Sequence, residues 1–335
     1  MGFFLLAGYR ILYRNRNRSV KNMTGVYGYM KKVEKKRKIT LKNTWPLHLM
    51  LLPGVFMLFT YTILPFFENI MAFENFQPVL GFFKSKWVGL DNFKYMFMLP
   101  DTFKIFRNTL VIAVGKIVFN LVMSVFFAVL LYEMAGKRFK KAVQTVCFLP
   151  HFLSWVILAM IFRDILDGSG IINMALMKLG IIDEAIVFLG SNKLFQGIIV
   201  GTDVWKEFGY GAIIFIAALA GINQELYEAA SIDGASRLQK IWNITLPGIK
   251  VTVVLVATLN IANVLNAGFD QVYNLYSPIV YDTGDIIDTY VYRMSFESAQ
   301  YSLATAVGLM KSVVSFLLIV TSNFLARKFA NYRIF

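Results

Sequence analysis

The stretch EAASIDGASRLQKIWNITLPG, residues 228–248, decides how the rest of the chain is interpreted. It places charged side chains between two long apolar segments: Glu228, Asp233, Arg237 and Lys240. Because charged groups are costly in hydrocarbon, this stretch is expected to leave the bilayer. Residues 225–230 favour a helix, and Gly234 permits a turn that bulkier residues resist. The pattern therefore predicts two short helices joined by a turn at a membrane surface, where a soluble partner can bind.

The composition of the chain is typical of a polytopic membrane protein. Of the 335 residues 57% are hydrophobic and 16% are charged, and several apolar runs exceed the roughly 18 residues of a membrane span. A net charge of +14 is also typical of proteins that bind nucleic acid. Here, however, the basic residues gather in the N-terminal region and in particular loops, as membrane topology requires. The single cysteine, Cys147, provides neither a disulfide framework nor zinc-ligand spacing. We therefore expect no nucleic-acid partner, no metal and no cofactor.

The apolar runs predict six spans, at about residues 47–70, 103–132, 142–162, 195–222, 246–272 and 303–325. Pro247 is expected at the foot of the fifth span, since proline is tolerated in the first turn of a helix and not in its middle. The basic residues 1–43 form a predicted cytoplasmic tail that can contact anionic lipid, followed by a transmembrane domain over residues 44–335.

The distribution of charge predicts the topology. The basic loop at residues 137–141 belongs in the cytoplasm, whereas the loop at residues 273–302 is acidic and belongs outside. Six spans then place both termini in the cytoplasm. The external loop contains more acidic than basic side chains, namely Asp282, Asp285, Asp288 and Glu297 against Arg293.

Polar residues inside the spans are the candidates for a substrate path, because their burial in lipid is costly. The fifth span contains Asn260, Asn263, Asn266 and Asp270. Their steps of three or four gather them on about a third of the helix circumference. The fourth span contains Asp203, Trp205, Lys206 and Glu207. Amides and carboxylates bind sugar hydroxyls and aromatic rings cover the apolar sugar faces, so both groups suit a carbohydrate. The alternatives are that the asparagines bond helices together and that Trp205 is an interfacial anchor.

Lys116 and Lys311 lie near the middles of the second and sixth spans. Each is expected to face protein, and the candidate counter-charges are Asp203, Glu207 and Asp270. We favour structural pairing over substrate contact for both lysines. His151 is interpreted as a packed or hydrogen-bonded histidine, because no other histidine lies near it in the sequence.

Residues 228–248 resemble the EAA loop of permease subunits in binding-protein-dependent ABC importers. The resemblance rests on Glu228-Ala229-Ala230, Asp233-Gly234-Ala235 and Ile244-Thr245-Leu246-Pro247. It implies that residues 223–248 form a coupling helix that docks into an ATPase subunit. The implied coupling residues are Glu228, Ala229, Ala230, Asp233, Gly234, Ala235, Leu246 and Pro247. Further motifs, VWKEFG at residues 204–209 and DTYVYR at residues 288–293, resemble the maltose-type permeases that serve complex oligosaccharides.

The resemblance implies an all-α, multi-pass protein of the bacterial cytoplasmic membrane with the type I ABC importer transmembrane fold. It implies import of an oligosaccharide together with a second, non-identical permease, two ATPase subunits and an extracytoplasmic solute-binding lipoprotein. The chain is not expected to be an enzyme, because the pattern GxxxxGK[ST] is absent: around Gly115-Lys116, Leu110 stands where the pattern needs glycine and Ile117 where it needs serine or threonine.

Two other classes of protein remain open. A self-sufficient secondary sugar transporter predicts internal repeats and a buried acidic coupling site, and we find no clear repeat. A membrane receptor or scaffold would not need a loop of this pattern. Neighbouring genes for a second permease and a sugar-binding lipoprotein would favour the importer.

Overall fold

The computed structural model describes residues 41–261 and 263–330. The predicted basic tail therefore lies almost entirely outside the described residues. The chain divides into two compact units, Met1–Glu68 and Asn69–Phe335. The described part of the first unit contains α1 (Leu41–Leu58) and α2 (Leu64–Phe66), joined by a π-helical turn at Phe59–Ile63. This wider turn precedes Pro65, and it relieves the clash between the proline ring and the carbonyl one turn earlier.

In the described part of the second unit, helices and their connecting segments accompany one hairpin, in which β1 (Glu74–Asn75) pairs antiparallel with β2 (Lys86–Trp87). The helices before the surface stretch are α3 (Asp91–Met98), α4 (Pro100–Glu133), α5 (Lys137–Phe148), α6 (Trp155–Leu166), α7 (Ile171–Lys178) and α8 (Phe195–Ala220). The remaining helices are α9 (Gln224–Ile232), α10 (Arg237–Lys240), α11 (Leu246–Ile261), α12 (Phe269–Leu275), α13 (Tyr281–Gly284), α14 (Ile287–Tyr292) and α15 (Tyr301–Ala330).

Helices α4 and α8 form the central pair of the second unit and pack on each other more extensively than any other two helices that the structure describes. Small residues permit the close approach: a Cβ at Gly115 would lie 2.9 Å from a methyl group of Val200. One apolar core surrounds the start of α8 with Phe195 and Ile199, and a second surrounds its end with Phe215 and Leu219. Other helices of the second unit, among them α5 and α11, pack against this pair.

The described residues contain helices long and apolar enough to cross a membrane, at Thr44–Phe73, Pro100–Glu133, Arg237–Ile261 and Tyr301–Thr321. Two further pairs of helices are long and apolar enough when each pair is taken as one span bent at a short break. These pairs are Lys137–Phe152 with Trp155–Lys178 and Phe195–Ala220 with Gln224–Ile232. These segments coincide with the six predicted spans when each bent pair counts as one. The first, second, fourth and sixth spans are confirmed to within a few residues.

The prediction of one continuous third span was wrong. The chain bends by 101° between Lys137–Phe152 and Trp155–Lys178. Pro150 lies in a short 3-10 turn, and Ser154 starts the next helix by accepting a hydrogen bond from the Ile157 N–H at 3.4 Å. Proline disfavours a regular helix and serine is a strong N-cap, so the two residues together divide the apolar run.

The prediction that the fifth span continues to residue 272 was also wrong, because α11 ends at Ile261. The chain then forms a turn before α12, and Gly268 adopts a φ of +90° that other residues resist. The Lys116 ammonium group donates a hydrogen bond to the Ala267 carbonyl at 2.7 Å and so holds this turn.

The fifth span also begins earlier than Pro247. The continuous helical segment runs from Arg237 to Ile261, and a π-helical turn at Ile241–Thr245 directly precedes the proline region. A wider turn removes the clash between a proline ring and the carbonyl one turn earlier. Pro247 therefore lies inside the helical segment rather than at its foot.

Candidate functional site

Residues 223–248, called the surface segment below, form the predicted pair of short helices. The Asn223 side chain caps α9 by accepting a hydrogen bond from the Glu225 N–H at 3.1 Å. At the end of α9, Gly234 has a φ of +78° and the Ala235 N–H donates to the Ala230 carbonyl at 2.8 Å. These two features close the helix in the way that glycine permits. The predicted helix, glycine turn and second helix are confirmed.

The second short helix is also fixed by its own sequence. The Ser236 N–H donates to the Gln239 side chain at 2.7 Å, and the Gln239 N–H donates to the Ser236 hydroxyl at 3.4 Å. This reciprocal capping satisfies two backbone donors at the start of α10. The Lys240 ammonium group donates to the Ser231 hydroxyl at 2.7 Å and joins α10 to α9. The two short helices are thus linked by more than the turn between them.

Tyr227 attaches the surface segment to the transmembrane helices. Its side chain is buried, its hydroxyl lies 3.0 Å from the Thr245 hydroxyl, and its ring lies 5.8 Å from the ring of Tyr132 at the end of α4. Sequence reasoning missed both Tyr227 and Thr245. The available signal was an aromatic residue directly before Glu228, the one aromatic side chain in the sequence QELYEAASI of α9.

The outer face of the surface segment is open. Glu228, Ala229, Asp233, Gly234 and Pro247 are exposed, whereas Ala230, Ala235 and Leu246 are half-buried. Within the part of the chain that the structure describes, the Glu228 carboxylate has no hydrogen bond or ion pair. Large apolar side chains on the segment are exposed as well, with 87% of Ile232, 69% of Leu238 and 69% of Trp242 accessible. The segment therefore combines a free carboxylate with an uncovered apolar surface, as a docking element would.

Lys116 lies at the centre of the first polar cluster in the spans. Its ammonium group lies 3.1 Å from the Asp203 carboxylate and donates to the Ala267 carbonyl and the Gln271 side chain. The other carboxylate oxygen of Asp203 accepts from Asn120 at 2.8 Å. The three donors of the lysine are thereby all used. Of the three candidate counter-charges, Asp203 is therefore the partner of Lys116, and Glu207 and Asp270 are not.

A second cluster joins α8 to the break between α5 and α6. The Lys206 ammonium group donates to the Glu207 carboxylate at 2.8 Å and to the His151 carbonyl at 2.7 Å. The other Glu207 oxygen lies 2.6 Å from His151 Nδ1, and the His151 ring stacks on Tyr210 at 3.8 Å. The interpretation of His151 as packed and hydrogen-bonded is confirmed. Trp205 is half-exposed and packs edge-on against Phe162, with the ring centroids 5.6 Å apart.

Lys311 pairs with Asp288, so the predicted candidates Asp203, Glu207 and Asp270 were wrong for this lysine. Asp288 lies on α14, which packs against α15 rather than extending away as a loop. Asp285 on the same segment pairs with Arg293 and accepts from the Thr289 hydroxyl at 2.7 Å. Burial raises the pKa of the Asp285 carboxyl, and the hydrogen bonds from Arg293 and Thr289 act in the opposite direction. The acidic segment that was predicted to be external is therefore folded, and three of its carboxylates, those of Asp282, Asp285 and Asp288, are charge-paired.

The predicted polar stripe of the fifth span is not a stripe on one helix. Asn260 lies near the end of α11, Asn263 and Asn266 lie in the turn that follows, and Asp270 lies in the first turn of α12. The Asn266 N–H donates to the Asn263 carbonyl at 2.8 Å, which is a turn contact and not a helical one. The side chains of Asn263, Asn266 and Asp270 are nevertheless exposed. The break therefore replaces the stripe with a short polar turn.

The matches with known proteins agree with this architecture. The model of the family "binding-protein-dependent transport system inner membrane component" matches residues 120–331, which include the whole surface segment. The chain belongs to this family. The permease is thus an integral, multi-pass protein of the cytoplasmic membrane, and the family predicted from the surface segment is confirmed.

Individual relatives and solved structures are similar over most of the permease. It is 42% identical to Protein LplB of Bacillus subtilis (strain 168), over 86% of this chain and 90% of the relative. It is 36% identical to the polygalacturonan/rhamnogalacturonan transport system permease protein YteP of the same strain, over 91% of this chain and 95% of the relative. These relatives favour an importer permease over a secondary transporter.

Two crystal structures share the fold. One is a bacterial ABC transporter involved in the import of the acidic polysaccharide alginate, with a TM-score of 0.78 and 34% identity over 86% of this chain and 97% of that chain. The other is a bacterial alginate ABC transporter in complex with a periplasmic protein bound to an alginate pentasaccharide, with a TM-score of 0.79 and 32% identity over 88% of this chain and 98% of that chain. The all-α type I ABC importer transmembrane fold is confirmed.

Proposed function

We propose that this permease forms part of an ATP-driven importer that carries an oligosaccharide across the cytoplasmic membrane. Its partners are a second, non-identical permease, two ATPase subunits and an extracytoplasmic solute-binding lipoprotein that delivers the sugar. ATP hydrolysis takes place on the partner subunits, and both termini lie in the cytoplasm. The permease relative YteP and the alginate importers support an oligosaccharide as the substrate.

The structure of the surface segment is the main support for this proposal. Its helices are capped, it is attached through Tyr227, and it exposes a free Glu228 carboxylate beside uncovered apolar side chains. Such a surface is costly to leave in water and is typical of a site that a partner covers. We assign it to contact with an ATPase subunit, with Glu228, Asp233 and Gly234 at the contact.

The substrate path in this proposal follows the exposed polar turn rather than the buried ion pairs. Asn263, Asn266 and Asp270 are free to contact sugar hydroxyls, and Trp205 offers a half-exposed ring. By contrast, Asp203, Lys206, Glu207 and Lys311 are held by partners within the chain. Replacing Asn263 or Asp270 by leucine is expected to lower sugar uptake without loss of the assembled complex. Gln300→Leu, at another exposed polar residue, serves as the control.

The proposed function is tested by purifying the tagged permease from native membranes and identifying the proteins that accompany it. We expect a second permease and an ATPase in fixed proportion, and loss of oligosaccharide uptake when the permease is deleted. Sugar uptake that persists after the ATPase site is inactivated would contradict the proposal and favour a secondary transporter.

A further inference from the structure

A cavity of about 380 Å³ lies between α6 and the segment that follows α11. Its lining combines aromatic rings with one basic and one acidic side chain: Tyr273, Tyr276, Tyr281, Arg163 and Glu297. This volume falls within the roughly 300–1,000 Å³ of small-molecule sites. None of these residues belongs to the polar turn or to the buried ion pairs described above.

The cavity lies at the end of the fold opposite the surface segment. Helix α8 has 26 residues and leads from Phe195 directly to the surface segment, so its two ends are about 39 Å apart. At the Phe195 end, Asn192 donates to the Ile279 carbonyl at 3.0 Å and Gln196 donates to the Thr283 carbonyl at 2.9 Å. These bonds hold the residues around Tyr281 at that end. In the proposed topology this is the extracytoplasmic side.

The tyrosines form a continuous aromatic wall. The ring centroids of Tyr273 and Tyr276 are 6.0 Å apart, and those of Tyr276 and Tyr281 are 5.1 Å apart. Phe269 stacks on Tyr273 at 5.2 Å and supports the wall from α12. Aromatic rings of this kind cover the apolar C–H face of a sugar, and their hydroxyl groups can hydrogen-bond its edge.

The charges around the cavity leave Arg163 free. The acidic residues of the neighbouring segment are paired, Asp282 with Lys104 at 2.9 Å, Asp285 with Arg293 and Asp288 with Lys311. Within residues 41–261 and 263–330, the Arg163 guanidinium has no hydrogen bond or ion pair, and the Glu297 carboxylate has none either. An incoming carboxylate therefore finds an unpaired guanidinium in the same cavity as the unpaired Glu297 carboxylate, while Asp282, Asp285 and Asp288 are neutralised by partners within the chain.

We propose that this cavity is a subsite for one uronic acid unit of an oligosaccharide as it enters from the extracytoplasmic side. The Arg163 guanidinium binds the sugar carboxylate through two parallel hydrogen bonds, for which its planar fork is suited. The Tyr273 ring covers the sugar face, and the Glu297 carboxylate accepts hydrogen bonds from the sugar hydroxyls. This inference rests on the proposed function, since it assigns a substrate class to the same importer.

The test uses the assembled importer with its binding protein in proteoliposomes. The probes are trigalacturonate and an alginate trisaccharide, each compared with its carboxyl-reduced form, and maltotriose as a neutral sugar. In Arg163→Gln we expect uptake of an acidic trisaccharide to fall about tenfold, because a hydrogen bond to a charged group is lost, while uptake of the reduced form changes little. Arg163→Lys should restore part of the acidic uptake. Lys193→Gln, at an exposed cation outside the cavity, should leave both unchanged.

A second pair of variants tests the aromatic wall independently. Tyr273→Leu removes the ring and should lower uptake of acidic and reduced sugars alike, whereas Tyr273→Phe keeps the ring and should retain most of the uptake. Equal uptake of both sugar forms in wild type and Arg163→Gln would overturn the inference and leave the proposed function standing. Uptake of maltotriose but of no uronate would also overturn only the inference. A wild-type importer that takes up none of these sugars would overturn the inference, whereas the proposed function is overturned only if oligosaccharide uptake persists after the ATPase site is inactivated.

Discussion

The hydroxyl of Tyr227 lies 3.0 Å from the hydroxyl of Thr245, within hydrogen-bonding distance. Tyr227 lies on α9, and Thr245 lies in the π-helical turn that leads into α11. This bond therefore joins the two ends of the surface segment. In the proposed coupling to an ATPase subunit, this bond provides a direct connection from α9 to α11, in addition to the connection through the glycine turn.

Removal of this bond should weaken coupling more than assembly. We expect Tyr227→Phe or Thr245→Val to lower the free energy of unfolding by about 1 kcal/mol, the usual contribution of a hydrogen bond. ATP hydrolysis stimulated by the loaded binding protein should fall in both variants. If the bond is the cause, the double variant should lose little more than either single variant. Thr305→Val, which removes a hydroxyl bonded only within α15, is the control, and an equal loss of stimulation there would contradict this role.

The buried pair Lys116–Asp203 should be important for stability. Lys116→Met leaves the Asp203 carboxylate without its cation, which costs about 3–5 kcal/mol for a buried pair. The double variant Lys116→Met with Asp203→Asn removes both charges and should recover most of this loss. The melting temperature of the purified complex measures both effects.

An exposed pair provides the control for this prediction. Lys104→Met removes the cation of the exposed pair with Asp282, which should change stability by about 0–1 kcal/mol. A Lys116→Met variant as stable as Lys104→Met would show that the buried pair does not hold α4 and α8 together.

Gly209 should not tolerate a side chain. A Cβ at this position would lie 2.1 Å from the Cys147 carbonyl oxygen, so α8 would have to move away from α5. We expect Gly209→Ala to destabilise the fold by at least about 1–3 kcal/mol, the usual cost of overpacking. Gly197→Ala on the same helix meets no atom within 4 Å and should be neutral. Equal yields of monodisperse protein from the two variants would be inconsistent with the helix packing described.

The proposed topology is tested by labelling single cysteines in a Cys147→Ser background. We expect a membrane-impermeant thiol reagent to label Asp183→Cys in intact cells and to label Arg237→Cys only after the membrane is opened. Both positions are exposed in the structure. The acidic residue Asp285, although in the predicted external loop, is only 3% accessible and is unsuitable as a reporter. Labelling of Arg237→Cys from outside would contradict cytoplasmic termini.

The apolar runs predicted the spans well where the run coincides with one helix. Residues 103–132 and 303–325 both fall within single helices, because nothing in those runs favours a turn. The runs around Pro150 and Asn263 were misread. In both runs the apolar content continues across local turn residues, and hydropathy does not register a serine cap or a glycine at positive φ.

The partners of the charged residues could also be predicted from the sequence only in part. Lys116 and Asp203 lie on two long helices whose spans were predicted, so their pairing could be anticipated. The partner of Lys311 could not be anticipated, because Asp288 was assigned to an external loop and the packing of α14 on α15 depends on tertiary contacts. For the surface segment, local sequence was sufficient to predict the turn at Gly234, but the buried contact of Tyr227 with Thr245 required the structure.

We propose that the surface segment couples the permease to ATP hydrolysis on its partner subunit. Glu228→Lys reverses a free, exposed charge, and Gly234→Leu places a bulky side chain at a φ of +78°, at a cost of about 1 kcal/mol or more. Matched controls are Glu184→Lys, at another exposed carboxylate, and Gly180→Leu, at a glycine with a φ of +66° and equally open space. The controls separate loss of coupling from charge reversal and backbone strain as such.

The most direct measurement is the ATPase activity of the reconstituted complex with sugar-loaded binding protein. We expect Glu228→Lys and Gly234→Leu to insert and fold but to lose stimulation of ATP hydrolysis by the loaded binding protein. The controls Glu184→Lys and Gly180→Leu should be stimulated like wild type. Wild-type stimulation in both surface-segment variants would contradict the claim that this segment couples the permease to its ATPase.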